Sequence, residues 1–323
     1  MSAFVGIDIA KNSFDIATPL HNGKFRTKAK LPNDLKGYQV LQTWLETHSE
    51  PGAWVVMEAT SVYHLGVADF LYALGYRVCV VNPAIVHQYG KDDLRRVKTD
   101  KTDAKLIASY AQDKQAKLRE WIPEPAARRR LRALVRRLDD LQEILQMESN
   151  RLDVAEDKVK ESIQSVISHV KSQIAETKKA IKDSIDDDPD LRHKRDLIVT
   201  IDGLGDTTAA LILAELGDPL DYKGPRSIVA FAGLDPVGAS SGEWTGPTHI
   251  SKTGSKRLRT GLYMPGMVGL KHNAVLMALK TRMKANGKAP KEIICAAMRK
   301  LLHLVYGVLK SGKPYDPDIA LAR

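Results

Sequence analysis

Apolar and polar positions change their period twice along this chain. Over residues 1–115, short apolar runs alternate with stretches of helical spacing. Phe4–Asp8 is an apolar run ending in an acid, and Ser13–Ala17 reads as its hairpin partner across the turn at Lys11-Asn12. Leu35, Tyr38, Leu41 and Leu45 give Leu35–His48 a helical face. Ala53–Met57 is a second apolar strand, again followed by an acid, Glu58. Tyr63–Leu74 reads as a helix, Arg77–Val81 as a strand ending at Asn82-Pro83, and Asp103–Gln112 as a helix. Alternating strands and helices predict an α/β layered unit.

Pro123 and Pro125 close that unit. From Leu131 the period becomes that of a heptad seam, through Leu134, Leu138, Leu141 and Leu145, and it resumes through Ile163, Ile167, Val170, Ile174, Ile181 and Ile185. Two long helices or one interrupted helix fit this pattern. The stripe must be buried, either against a second chain or in an intramolecular hairpin. Asp186-Asp187-Asp188-Pro189 ends the rod, and residues 191–323 read as mostly helical around a Gly-, Ser- and Pro-rich loop, Gly233–Gly254. The expected division is 1–122, 123–190 and 191–323.

Charge sharpens the picture in the last third. The 323 residues carry 49 Lys and Arg against 39 Asp and Glu, a net +10. Residues 191–323 alone hold 20 basic and 11 acidic side chains. A polyanion is the partner such an excess fits, although solubility also explains a basic domain. Lys252, Lys256, Arg257 and Arg259 lie close together, and Arg128, Arg129 and Arg130 open the rod with a basic collar. These groups suit phosphate contacts better than base reading. Two cysteines, Cys79 and Cys295, leave no disulfide framework and no Cys-x-x-Cys zinc site. No apolar run approaches the ~18 residues of a membrane span, and the start is not a signal peptide, so a cytoplasmic protein with no membrane partner is expected.

The acids carry the chemistry. Asp8 and Glu58 end two strands, and Asp100 and Asp103 stand three apart at a helix start, so that both can face one side. Taken singly, each also reads as a cap or a surface group. Converging, four carboxylates repel unless cations lie between them, and Mg²⁺ prefers such oxygen ligands. Lys98, Lys101 and Lys105 around the last two acids suit a site that also holds phosphate.

These residues resemble a known family. Gly6-Ile7-Asp8-Ile9-Ala10-Lys11, Met57-Glu58-Ala59-Thr60, Val81-Asn82-Pro83 and Lys98-Thr99-Asp100-Lys101-Thr102-Asp103-Ala104 are similar to motifs of the DEDD transposases of bacterial insertion sequences. More narrowly, they resemble the bridge-RNA-guided recombinases of the IS one-ten family. Ile201–Gly205, Phe231-Ala232-Gly233-Leu234-Asp235-Pro236, Ser251-Lys252-Thr253-Gly254, Leu262-Tyr263-Met264-Pro265 and Tyr306-Gly307-Val308-Leu309-Lys310 extend the likeness, in order, over nearly the whole chain.

The resemblance implies an RNase H-like (RuvC-like) domain whose Asp8, Glu58, Asp100 and Asp103 bind one or two Mg²⁺ ions, a coiled-coil connector, and a mainly α-helical transposase domain. It implies a serine that attacks DNA, a structured guide RNA, donor and target DNA as substrates, and a dimer or tetramer whose active site is shared between protomers. By spacing from Gly233-Leu234-Asp235-Pro236 the serine is Ser241, with neighbouring Ser240 the alternative. A Ser-Ser-Gly run is also an ordinary turn. Ile201–Gly205 resembles a helix-hairpin-helix turn, or is a tight turn between packed helices. Rival functions are a metal-dependent nuclease or junction resolvase using water, a non-catalytic nucleic-acid scaffold, and an actin-like ATPase built on Gly6–Lys11.

Overall fold

The structure, a computed structural model, describes residues 2–92, 100–238, 240–241, 244–245 and 249–321. Two compact units divide the chain, Met1–Glu124 and Pro125–Arg323.

The first unit runs β1 (Ser2–Ile9), β2 (Ser13–Pro19), β3 (Phe25–Pro32), α1 (Leu35–His48), β4 (Ser49–Glu58), α2 (Leu65–Ala73), β5 (Arg77–Val81), α3 (Pro83–Asp92) and α4 (Asp100–Asp113). Its five strands form one mixed sheet in the order β3-β2-β1-β4-β5. The first three are an antiparallel meander, and β4 and β5 lie parallel to β1. The central strands are covered on both faces, which explains their continuous apolar runs. Val5, Ile7, Ile9, Phe14, Ile16, Val55 and Met57 pack with Leu41 and Leu45 of α1 and Val67 and Leu71 of α2. On the opposite face, Trp54, Val56, Cys79 and Val81 pack with Ile107, Tyr110 and Ala111 of α4. Asp34 caps α1 by accepting the Gly37 N–H at 3.0 Å.

Three elements of this unit differ from the pattern-based expectation, and one of them, α3, follows Asn82 where the pattern predicts no helix. β3 is an edge strand whose Arg26, Lys28 and Lys30 are exposed. Charged edges block pairing with other chains, and the same charges erase the apolar alternation that marks a strand. The last helix starts at Asp100, a turn before the expected Asp103; acidic residues in a first turn favour the helix start electrostatically.

The second unit contains α5 (Ala126–Asp153), α6 (Asp157–Asp186), α7 (Pro189–Val199), α8 (Asp206–Leu216), α9 (Pro225–Phe231), β6 (Pro236–Val237), β7 (Ser240–Ser241), β8 (Trp244–Thr245), β9 (His249–Ile250), α10 (Lys256–Gly261), α11 (Tyr263–His272), α12 (Ala274–Ala285), α13 (Pro290–Ser311) and α14 (Pro317–Leu321). The heptad stripe folds on itself: α5 and α6 pack as a hairpin after a turn at 154–156. Leu131, Val135, Leu138 and Leu141 share one core with Val170, Ile174, Ile181 and Ile185, and that core continues through α7, α8, α9 and α13. Asp188 caps α7 through the N–H groups of Asp190 and Leu191, each at 3.0 Å, with Pro189 in the first turn. No helix among the described residues is long and apolar enough to cross a membrane.

Candidate active site

Register brings the strand-end acids together. Ile7 lies level with Met57 across the parallel β1–β4 pair, so Asp8 and Glu58, one step beyond, are neighbours at the ends of their strands. Their face follows from Gly6. A Cβ on Gly6 would lie 2.4 Å from both the Ala104 carbonyl oxygen and the Ala108 nitrogen, so this side of β1 lies directly against α4. Asp8, two residues on, points to that side, as does Glu58, two residues beyond the α4-packed Val56. Asp103 immediately precedes Ala104 on the turn of α4 that rests on Gly6. Gly6, Ala17, Ala104 and Ala108 are all small, and their small size sets the helix–sheet distance and hence the height of Asp103. Gly6→Ala forces backbone against backbone; it is expected to cost about 2–3 kcal/mol in denaturant unfolding of the full chain.

A fifth acid joins this face. Asp15 stands opposite Asp8 in the antiparallel β1–β2 pair, on the side where Ala17 packs against α4. Its Oδ1 accepts the Lys30 N–H at 2.7 Å, and Lys30 is held at φ 56. The side chains of Asp100 and Lys101, and all of Lys98, lie outside the described residues. Asp8, Glu58 and Asp103 all interact with other groups of the chain. Among the described residues no three of His, Cys, Asp and Glu are gathered as a metal centre. The donor chemistry still fits a hard cation, because the converging groups are carboxylates. The nearest thiol on this face, Cys79, is buried in the sheet core, where desolvation pushes it up and keeps it protonated.

The serine segment is held at its neck. Ser240 and Ser241 form β7 and pair with Thr245 and Trp244 of β8; the side chains of both serines lie outside the described residues. Below them β6 pairs with β9 through Pro236–Ile250 and Val237–His249. The Ser251 N–H donates to the Asp235 carbonyl at 2.9 Å, the Ser251 hydroxyl donates to the Asp235 carboxylate, and the Lys252 N–H donates to the Gly233 carbonyl at 3.0 Å. Gly254 at φ 138 passes so close to the Phe231 carbonyl that a Cβ would lie 2.1 Å from it. The two motifs flanking the loop in sequence are thus the two sides of one neck.

The basic residues divide by what they touch. Arg128 lies against Gly217, Arg132 Nε donates to the Ala214 carbonyl at 2.9 Å, and Arg136 stands 3.7 Å from Glu215. Together they answer the partial negative charge at the C-terminal end of α8. Arg257 donates to Asp139 at 3.1 Å, where burial pushes the carboxyl up against the pull of the guanidinium. Arg259 donates to the Ala232 carbonyl at 2.9 Å and braces the loop neck. Arg129, Arg130, Lys252 and Lys256 are exposed. The Ile201–Gly205 turn packs against α11, with Gly203 at φ 101 and a tight 3.1 Å between a Cβ there and the Gly269 backbone.

Two sequence families match this chain. One, described as a transposase of the DEDD type of IS110, covers residues 5–160; the other, described as "Transposase IS116/IS110/IS902 family", covers residues 195–281. The pilin gene-inverting proteins of Moraxella bovis and Moraxella lacunata are each 31% identical over 98% of this chain and 98% of their own. The chain belongs to the IS110 family of transposases. The transposase for insertion sequence element IS1328 of Yersinia enterocolitica is 23% identical over 97% of this chain and 98% of its own.

In this IS110-family transposase, therefore, register gathers Asp8 and Glu58 on the α4 face and the packing of α4 sets Asp103 at the same end. Asp15 escaped the sequence reading. The hairpin register of Ser13–Ala17 against Phe4–Asp8 was the signal that places it opposite Asp8. As a transposase the protein acts on DNA.

Proposed function

We propose that this transposase is an RNA-guided recombinase that cuts, exchanges and rejoins DNA through a phosphoserine intermediate. The observation that carries the reading is the pairing register that sets Asp8 beside Glu58 at their strand ends, with Asp103 on the turn of α4 that rests on Gly6; the β3-β2-β1-β4-β5 order supports an RNase H-like unit. Asp8, Glu58, Asp100 and Asp103 would hold Mg²⁺, which supplies positive charge to offset the negative charge developing on a phosphodiester in its transition state. The Ser241 hydroxyl attacks phosphorus; its Oγ–P bond forms as one P–O bond of the DNA strand breaks, and the departing sugar oxygen takes a proton. The phosphoserine conserves the ester. A sugar hydroxyl of the exchanged strand then displaces the serine, so rejoining needs no ATP.

The guide RNA rests on the family resemblance, and Arg129, Arg130, Lys252 and Lys256 offer backbone contacts of the kind that leave sequence choice to base pairing. Arg128, Arg257 and Arg259 act in the same surface mainly by holding α8, α5 and the loop neck in place. Exposed Met147, Val154, Val159 and Val166 toward the tip of the α5–α6 hairpin support a homo-oligomer, now that the inner seam is filled from the same chain. The gene-inverting relatives favour a second outcome of the same chemistry, inversion between two sites on one DNA.

The test is to co-express the protein with the DNA flanking its gene, purify it through a moderate-salt wash and sequence the RNA retained. One discrete structured RNA from the flank is expected. Heterogeneous cellular RNA, or none, would remove the guide and leave a protein-directed recombinase.

A further inference from the structure

Outside the loop and the acids, α13 carries a cationic cluster that neither the motifs nor the proposed chemistry uses. Arg299 and Lys300 lie four and three residues before His303, which puts the three on neighbouring turns of one helix face. α9 packs on α13 and brings Arg226, in its first turn, to the same place. Among the described residues, no carboxylate pairs with Arg226, Arg299, Lys300 or His303. The Nε of Arg299 is buried and has no hydrogen-bond acceptor. The half-buried His303 imidazole is pushed down by burial and then by Lys300, Arg299 and Arg226, so the three charges are felt at one point. One turn further on, Tyr306 carries Lys310 over its ring at 5.7 Å, extending the positive stripe along the helix.

Such a cluster is costly as it stands. Three cations repel one another, and a guanidinium N–H without an acceptor forfeits its hydration for nothing. A buried donor without an acceptor calls for an explanation, and beside two further cations a bound anion supplies one. The ligand must be an anion with several oxygens, which is what a phosphodiester presents to a guanidinium fork. We infer that Arg226, Arg299, Lys300 and His303 form a phosphate-binding site for the backbone of a nucleic acid bound along α13, an inference that rests on the nucleic-acid reading of the proposed function. The site reads no bases. It fixes the position of a strand at a surface formed by the helical unit alone.

The experiment compares the full chain with Arg226→Gln, Arg299→Gln and the Arg299→Gln/Lys300→Gln double variant. Binding to a fluorescent 30-base-pair duplex DNA and to a 30-nucleotide RNA is followed across a salt series. Each lost phosphate contact should flatten the slope of log affinity against log salt by about 1, and weaken binding several-fold at moderate salt. Loss on the duplex alone assigns the site to DNA, and loss on the RNA alone assigns it to RNA; equal loss on both marks it as a general backbone site. Thermal melting separates function from packing, because removing an unsatisfied donor and one of three clustered cations should leave the Arg299→Gln melting temperature equal or higher. Unchanged slopes on both probes, with wild-type protein binding normally, overturn the site and leave the proposed function standing. A lowered melting temperature of Arg299→Gln with an unchanged slope for the exposed Arg226→Gln overturns it too, and makes the cluster structural. Wild-type protein that binds neither probe in a salt-dependent way overturns both.

Discussion

Alanine at Ser241 is expected to abolish DNA strand cleavage, with a fall in rate of about 10⁴-fold or more, while nucleic-acid binding and the melting temperature stay at wild-type values. The size of the effect follows from the role: without the hydroxyl no ester can form, and the remaining groups only bind and polarise. The silence of the other two readouts follows from position. Ser241 sits in a two-residue ladder beyond a neck fixed by the Ser251, Lys252 and Gly254 contacts, away from the residues of the helical core. The measurement is a denaturing gel of protein incubated with labelled substrate. Wild type should retain label on the protein, Ser241→Ala should retain none, and Ser240→Ala should behave as wild type. Cleavage that survives Ser241→Ala would make water the nucleophile and the protein a metal-dependent nuclease; a swap of phenotypes between the two serines would move the nucleophile by one residue.

The second large effect belongs to Asp8. Asp8→Asn keeps the shape of the side chain and removes one negative charge from a position with Glu58 level on one side and Asp15 on the other. Loss of one carboxylate from the set proposed to hold the cation should lower cleavage about 10³-fold. The melting temperature should stay near the wild-type value, because asparagine keeps the volume of the side chain. Cleavage rate and thermal melting, measured on one preparation, check both halves. A nucleic-acid scaffold without catalysis would show neither loss, whereas a misfolded variant would lose activity and melting temperature together.

Strand-end acids were readable from the chain because a strand buried on both faces writes itself as an unbroken apolar run, and the residue after the run stands at its rim. Asp8 and Glu58 are cases of that rule. The edge strand β3 was not readable, since its exposed lysines and arginine interrupt the period that defines a strand. Asp15 sat inside the recognised hairpin partner yet passed unnoticed; its face depends on pairing register, which composition does not carry. The basic residues carry a second use that one dimension hides. Arg128, Arg257 and Arg259 look like polyanion contacts in one dimension, and only the fold reveals the carbonyls, glycine and carboxylate they touch. The loop neck was visible as two separate motifs eighteen or so residues apart, but their hydrogen bonds to each other needed three dimensions. In the same way, the heptad stripe announced a burial requirement without saying that α5 and α6 would meet it together.

That shared core decides how the protein comes apart. A break at residue 190 would strip Leu131, Val135, Leu138 and Leu141 from the helices they support and leave both fragments with raw apolar faces. A break between Glu124 and Pro125 follows the division between the two compact units. Grafts between relatives should therefore succeed when the α5–α6 hairpin travels with the helices that follow it, and fail when it travels with the sheet. In folding terms the hairpin belongs with the helical unit that carries the serine, and the acids Asp8, Glu58 and Asp103 belong to the other unit.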